Sequence, residues 1–238
     1  RVHWSRDSGT LYVERLSRDQ KRLDLLAADP KTGKSKVILT ETADTWVNLN
    51  EDFKALEAGG FLWGSERSGF NQIYRYDADG KLLGAVTQGP GLASLDCVDE
   101  ENGAVYYGGW RESPLERHLF SVPLAGGEPR QITTAEGWHS ADYSENCATA
   151  IRKFSSDAQP PQTSVANGDG AFRFWLNENK VEGDHPYAPY MASHLPWFYG
   201  QVKADDGTPL DYRLLKPEGI KRGEKRPAIV LVYGGPHA

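Results

Sequence analysis

The feature that most constrains this chain is a repeat. Over about the first 175 of its 238 residues, short apolar–polar alternating segments recur with a period of roughly forty-five residues. One copy reads Phe61-Leu-Trp-Gly-Ser-Glu-Arg-Ser-Gly-Phe70, Gln72-Ile-Tyr-Arg-Tyr-Asp77 and Gly80-Lys-Leu-Leu-Gly-Ala-Val-Thr87. The next reads Ala104-Val-Tyr-Tyr-Gly-Gly-Trp110, His118-Leu-Phe-Ser-Val-Pro123 and Gly126-Gly-Glu-Pro-Arg-Gln-Ile-Thr133. An earlier copy has Leu11–Leu16, Leu23–Ala27, a turn at Asp29–Gly33 and Lys36–Thr40. A degenerate fourth has Ala148–Phe154, Gln162–Ala166, a turn at Asn167–Gly170 and Phe172–Leu176. Asp-Gly, Gly-Gly and Asn-Gly turns between alternating segments signal antiparallel hairpins. Sandwich strands do not recur as similar four-strand units, whereas propeller blades do. A blade buries its faces only against its neighbours, so four of them leave two outer faces open. The expected fold is therefore all-β, a partial propeller of about four blades.

The pattern changes after residue 177. Asp184-His-Pro-Tyr-Ala-Pro-Tyr-Met-Ala192 is aperiodic and punctuated by proline, which reads as a linker over 178–196. Trp197–Lys203 and Pro209–Leu215 flank Asp205-Asp-Gly-Thr208, a hairpin signal. The mixed-charge stretch Lys216–Arg226 reads as a solvated loop. Ala228-Ile-Val-Leu-Val232 is an unbroken apolar run rich in β-branched residues, expected as a strand buried on both faces. It ends at Tyr233-Gly-Gly-Pro236. In open α/β sheets that C-terminal strand edge is where ligands sit. The expected organisation is a partial propeller over 1–177, the linker, and the first strands of an α/β-hydrolase domain over 197–238. On this reading the chain is a piece of a larger catalytic protein.

A net charge of −6 with no basic run argues against a nucleic-acid or membrane surface, and no segment is apolar for long enough to span a bilayer. No leader peptide marks a compartment, so localisation is left open between periplasm and cytoplasm of a bacterium. Cys97 and Cys147 lie far apart, in different repeats, and are expected as free thiols. The six histidines are scattered and read as surface or structural residues. No His/Cys/Asp cluster has metal-ligand spacing, and neither metal nor other cofactor is expected. Asp77, Asp79 and Gly80 read as turn chemistry. Glu66 and Arg67 read as parts of a polar turn bonded to backbone. Trp46 reads as a core side chain of a blade strand.

A propeller running into such an entry strand resembles the prolyl oligopeptidase family of serine peptidases. Tyr233-Gly-Gly-Pro236 is most similar to the dipeptidyl-peptidase IV branch, in which a tyrosine opens this loop, and Thr45–Asp52 followed by Phe61–Phe70 resembles bacterial members. The resemblance implies removal of N-terminal dipeptides with proline or alanine second, by acyl transfer through a Ser–His–Asp triad. It implies that the Tyr233 hydroxyl stabilises the oxyanion, that Gly234, Gly235 and Pro236 shape the loop, and that Asn48, Leu49 and Asn50 line a substrate pocket. His237 is then a loop residue and not the triad base. Glu100-Glu101 sits at a turn and is not assigned to the substrate's amino group. The Gly-x-Ser-x-Gly elbow of the nucleophile does not occur in these 238 residues, so the chain alone is expected to be inactive. The implied partner is a peptide substrate, and exposed blade edges favour self-association. Two alternatives stand beside this reading. One is an acylaminoacyl- or oligopeptide-cleaving relative, and the other is a non-catalytic propeller that serves as a binding platform.

Overall fold

The computed structural model describes residues 1–49 and 51–232. Four antiparallel sheets of four strands follow one another along the chain, each a simple meander. Sheet 1 holds β1 (Val2–Trp4), β2 (Leu11–Leu16), β3 (Arg22–Ala28) and β4 (Ser35–Thr42). Sheet 2 holds β5 (Phe53–Ala55), β6 (Phe61–Ser65), β7 (Gln72–Tyr76) and β8 (Leu82–Ala85). Sheet 3 holds β9 (Leu92–Asp99), β10 (Ala104–Trp110), β11 (His118–Pro123) and β12 (Arg130–Gln131). Sheet 4 holds β13 (Trp138–Tyr143), β14 (Thr149–Ser155), β15 (Gln162–Asn167) and β16 (Phe172–Asn177). The repeat thus marks three strands of every sheet. The first strand of each carries too little periodic signal to stand out.

Period-two alternation assigns the two faces of sheet 2 to two different neighbours. Phe61, Trp63, Tyr74 and Tyr76 pack with Tyr12, Leu23, Leu25 and Leu39 of sheet 1. Leu62, Ile73 and Val86 pack with Ala93, Val98, Val105, Tyr107 and Phe120 of sheet 3. This double burial explains why all five residues of β6 are buried. The aromatic side is ordered by ring contacts, with Phe61 stacked on Tyr76 at 5.2 Å and Tyr12 tilted against Phe61 at 5.6 Å. Sheets 3 and 4 meet through a smaller, more polar seam. His118 stacks on His139 at 5.4 Å, His139 on Phe154 at 4.6 Å, and Tyr106 lies against Tyr143 at 5.1 Å. His118 is fixed by Thr133 Oγ1 (3.1 Å) and Glu116 Oε2 (2.7 Å), a structural role. The faces of sheets 1 and 4 that look away from this stack leave Val2, Trp4, Val37, Trp138, Ile151 and Phe174 exposed.

Polar stitches fix the sheets in register. Buried Asp52 accepts from the Leu95 N–H at 2.7 Å and from the Asn71 side-chain amide, which also donates to the Ala93 carbonyl at 2.7 Å. The β7–β8 turn behaves as its sequence suggests: Asp77 Oδ1 accepts from the N–H groups of Asp79 and Lys81, and Asp79 pairs with Lys36 at 2.6 Å across the seam. Gly80, at φ +84°, lies so close that an added Cβ would fall 2.0 Å from the Ile38 carbonyl oxygen. No other residue fits there.

Two expectations are corrected. Cys97 and Cys147 form a disulfide, with Cα atoms 6.0 Å apart. Membership of different repeats had argued against pairing, but successive sheets are spatial neighbours, and β9 lies beside the turn that precedes β14. The apolar run near the end is not a buried strand: residues 229–232 form no ladder and are 80–91% exposed. A strand buried on both faces needs paired neighbours, and among the described residues none is offered to it. In the second compact unit, residues 186–238, a 3-10 helix (Ala188–Ser193) precedes a hairpin of β17 (Trp197–Lys203) and β18 (Pro209–Leu215), registered Trp197↔Leu215 to Lys203↔Pro209. Its turn is tied by the Thr208 N–H to Asp206 Oδ1 at 2.9 Å. No helix is long and apolar enough to cross a membrane among the described residues.

The disulfide closes a 50-residue separation, for which chain entropy gives about 4 kcal/mol. Cys97→Ser with Cys147→Ser should lower the denaturant midpoint by a corresponding amount, and thiol titration of the unreduced protein should find no free cysteine. A second outcome concerns Asp96, the bulged residue of β9, whose buried Oδ2 has no hydrogen-bond partner. Burial pushes its carboxyl up to about 7, helped by Asp52 and Asp142 and opposed by Arg117. Between the ordinary value of 3.8 and about 7 the folded chain keeps a proton that the unfolded chain has lost. Stability from this group therefore falls as pH rises through that window. Asp96→Asn should raise Tm at pH 8, by about 2–4 °C for each kcal/mol of strain it relieves in a domain of this size, with the gain vanishing towards pH 4.

Candidate functional site

The chain passes from β4 to β5 through residues 43–52, and this crossing builds one wall of a cleft. Two backbone bonds hold it against the β2–β3 turn, from Ala43 N to the Lys21 carbonyl (3.1 Å) and from Val47 N to the Gln20 carbonyl (2.8 Å). Val47 turns inward onto the sheet 1–sheet 2 core. Its neighbour Trp46 therefore faces outward, 45% exposed. This corrects the expectation that Trp46 is core: the segment is not a strand, and Val47 takes the inward position.

The opposite wall is the β6–β7 turn. Arg67 Nε donates to Ser65 Oγ at 2.9 Å, and its Nη2 donates to Glu41 Oε1. The guanidinium carbon lies 4.4 Å from the centre of the Tyr74 ring, a cation–π contact. Trp63 Nε1 donates to the same Glu41 oxygen at 3.2 Å. Burial works against the charge on Arg67, but Glu41 and Tyr76 outweigh it, so the guanidinium is held above its ordinary value. Backbone N–H groups of this turn are bonded from Gly69 N to the Glu66 carbonyl (2.8 Å) and from Arg67 N to Ser65 Oγ (3.3 Å). The Glu66 side chain instead reaches across the cleft, where its Oε2 accepts from Asn48 Nδ2 at 2.7 Å. Asn48 Oδ1 in turn accepts from Trp46 Nε1 at 2.9 Å. The floor includes Glu14, bonded to His3 Nε2 at 2.8 Å. The enclosed volume is about 230 Å³.

Of the residues expected to line a substrate pocket, Asn48 is in this cleft. Leu49 is exposed on the same crossing and does not line it, and Asn50 lies outside the described residues. Tyr233, Gly234, Gly235, Pro236 and His237 also lie outside them. Glu14 and Glu41 carry no sequence signal of their own. Arg67 in a polar turn calls for a carboxylate, but only the stacking of the sheets shows which one. Glu100 accepts twice from the Glu57 N–H, at 2.9 and 2.8 Å, and so ties sheet 2 to sheet 3. No group of three or more His, Cys, Asp or Glu could hold a metal ion among the described residues. The cleft presents an aromatic wall, an amide and carboxylates, and it is open on one side.

Arg67→Lys should not restore what Arg67→Met loses, because an ammonium lacks the planar fork that meets Ser65, Glu41 and the Tyr74 face together. Both variants should unfold at lower denaturant by about 1–2 kcal/mol, as followed by tryptophan fluorescence.

The dipeptidyl peptidase IV (DPP IV) N-terminal region matches residues 1–161. Human dipeptidyl peptidase 8 is 25% identical over 258 residues, covering 91% of this chain and 28% of that protein, and the mouse protein of the same name is 25% identical over 94% of this chain. The crystal structure of Porphyromonas gingivalis dipeptidyl peptidase 4 superposes with a TM-score of 0.82 at 26% identity, covering 93% of this chain and 31% of that one. This chain thus spans less than a third of these relatives' length. The four meanders correspond to propeller blades, and the chain belongs to the family of the dipeptidyl peptidase IV N-terminal region.

Proposed function

We propose that this chain is part of a serine exopeptidase that releases dipeptides, with proline or alanine second, from peptide N-termini. The blades make up 1–177, residues 178–196 link them onward, and 197–238 open an α/β-hydrolase domain. One conjunction carries the reading: a family match over residues 1–161 stands in the same chain as an apolar run that ends in Tyr233-Gly-Gly-Pro236. A binding platform made only of blades has no use for that second feature. The nucleophile, its base and the groups that hold the substrate's amino terminus belong to parts of the protein outside this sequence.

In this mechanism the serine attacks the carbonyl after the second residue, and negative charge collects on its oxygen. The Tyr233 hydroxyl donates a hydrogen bond there, beside a backbone N–H next to the nucleophile. Gly234, Gly235 and Pro236 set the loop that aims it. The crossing that carries Asn48 contributes to the pocket for the substrate's side chains.

In the complete enzyme, Tyr233→Phe should lower kcat roughly a hundredfold or more with KM little changed, the signature of a bond made only in the transition state. A loss confined to KM would contradict that role. The 238-residue chain by itself should not turn over a Gly-Pro chromogenic substrate.

A further inference from the structure

The carboxylates of the cleft differ in what neutralises them. Glu14 is bonded to His3, and Glu41 to Arg67 and Trp63. Glu66 is exposed and accepts from the neutral amide of Asn48. Arg67 is the one basic side chain among the described residues that line the cleft, and it is already engaged by Glu41. Beside Glu66, with one amide between them, stands Trp46. Its indole N–H is taken by Asn48, while the side chain remains 45% exposed. An uncompensated carboxylate next to an open indole face attracts a cation on an aliphatic stem. The volume of about 230 Å³ accommodates one long side chain.

We propose that the Trp46–Asn48–Glu66 cleft is a subsite for a lysine or arginine side chain of the peptide substrate. The methylene stem lies on Trp46 and the charged head meets Glu66. This rests on the peptidase reading above and names the substrate class that the same site selects.

The test compares peptides that differ at one position. With the complete enzyme, kcat/KM is measured for Xaa-Pro substrates with Lys, Arg or Glu first, and for Gly-Pro-Xaa peptides with the same three residues third. The basic residue should be favoured over Glu by roughly three- to tenfold in one series. The preference should shrink in 0.5 M salt and collapse towards unity in Glu66→Gln, and Trp46→Ala should weaken it. A preference absent from both series, or untouched by Glu66→Gln, overturns the subsite while leaving the peptidase reading in place. Failure of the complete enzyme to release any dipeptide overturns the peptidase reading instead. Binding to this chain alone then decides the subsite. The tetrapeptide Lys-Pro-Lys-Ala should shift the indole N–H resonance of Trp46, assigned with Trp46→Phe, and the shift should be lost in Glu66→Gln. Absence of that shift overturns the proposal.

Discussion

The structure depends on the burial of sheet 2 between two neighbours. Each meander is a repeat unit that buries its faces only against its neighbours. Sheet 2 does this by presenting aromatic residues to sheet 1 and mainly aliphatic ones to sheet 3. Directional bonds then convert non-directional apolar packing into a fixed register. Asp52 and Asn71 join sheet 2 to sheet 3, Lys36 and Asp79 join sheet 1 to sheet 2, and Cys97 and Cys147 join sheet 3 to sheet 4. The last seam is the most polar, and it is the one with a covalent link.

The cleft follows from the same packing. Because Val47 is drawn into the core between sheets 1 and 2, Trp46 and Asn48 are carried to the surface opposite the β6–β7 turn. Because Arg67 stacks on Tyr74 of its own sheet and pairs with Glu41 of the neighbouring one, that turn is held in place, and Glu66 beside it can reach Asn48. The crossing between the two blades is irregular backbone, but the seam beneath it sets its position.

Much of the fold is legible in the sequence because its signals are local. Alternation in Gln72–Tyr76 or His118–Pro123, the Asp77–Gly80 turn and the Asp205–Thr208 hairpin turn each follow from a few adjacent residues. The first strand of each sheet is harder to see; β5, for example, is three residues long. The sequence is less informative where the answer depends on a partner distant in the chain. Trp46 resembled a core residue by composition, yet the inward position belongs to Val47. The cysteines resembled free thiols by spacing, yet they face each other across a seam. Residues 228–232 have the composition of a central strand, and composition alone cannot supply the flanking strands.

The sequence by itself determined that the chain would form repeated antiparallel meanders of propeller type, and it placed their turns. Those features are set by backbone preferences and by the alternation of neighbouring side chains. Only the tertiary structure decided that Cys97 joins Cys147, that Arg67 takes Glu41, and that Glu66 meets Asn48 beneath an exposed Trp46. These are contacts between residues 18 to 50 positions apart. Their geometry is fixed by how one sheet is stacked and rotated on the next, and no local stretch of sequence encodes that.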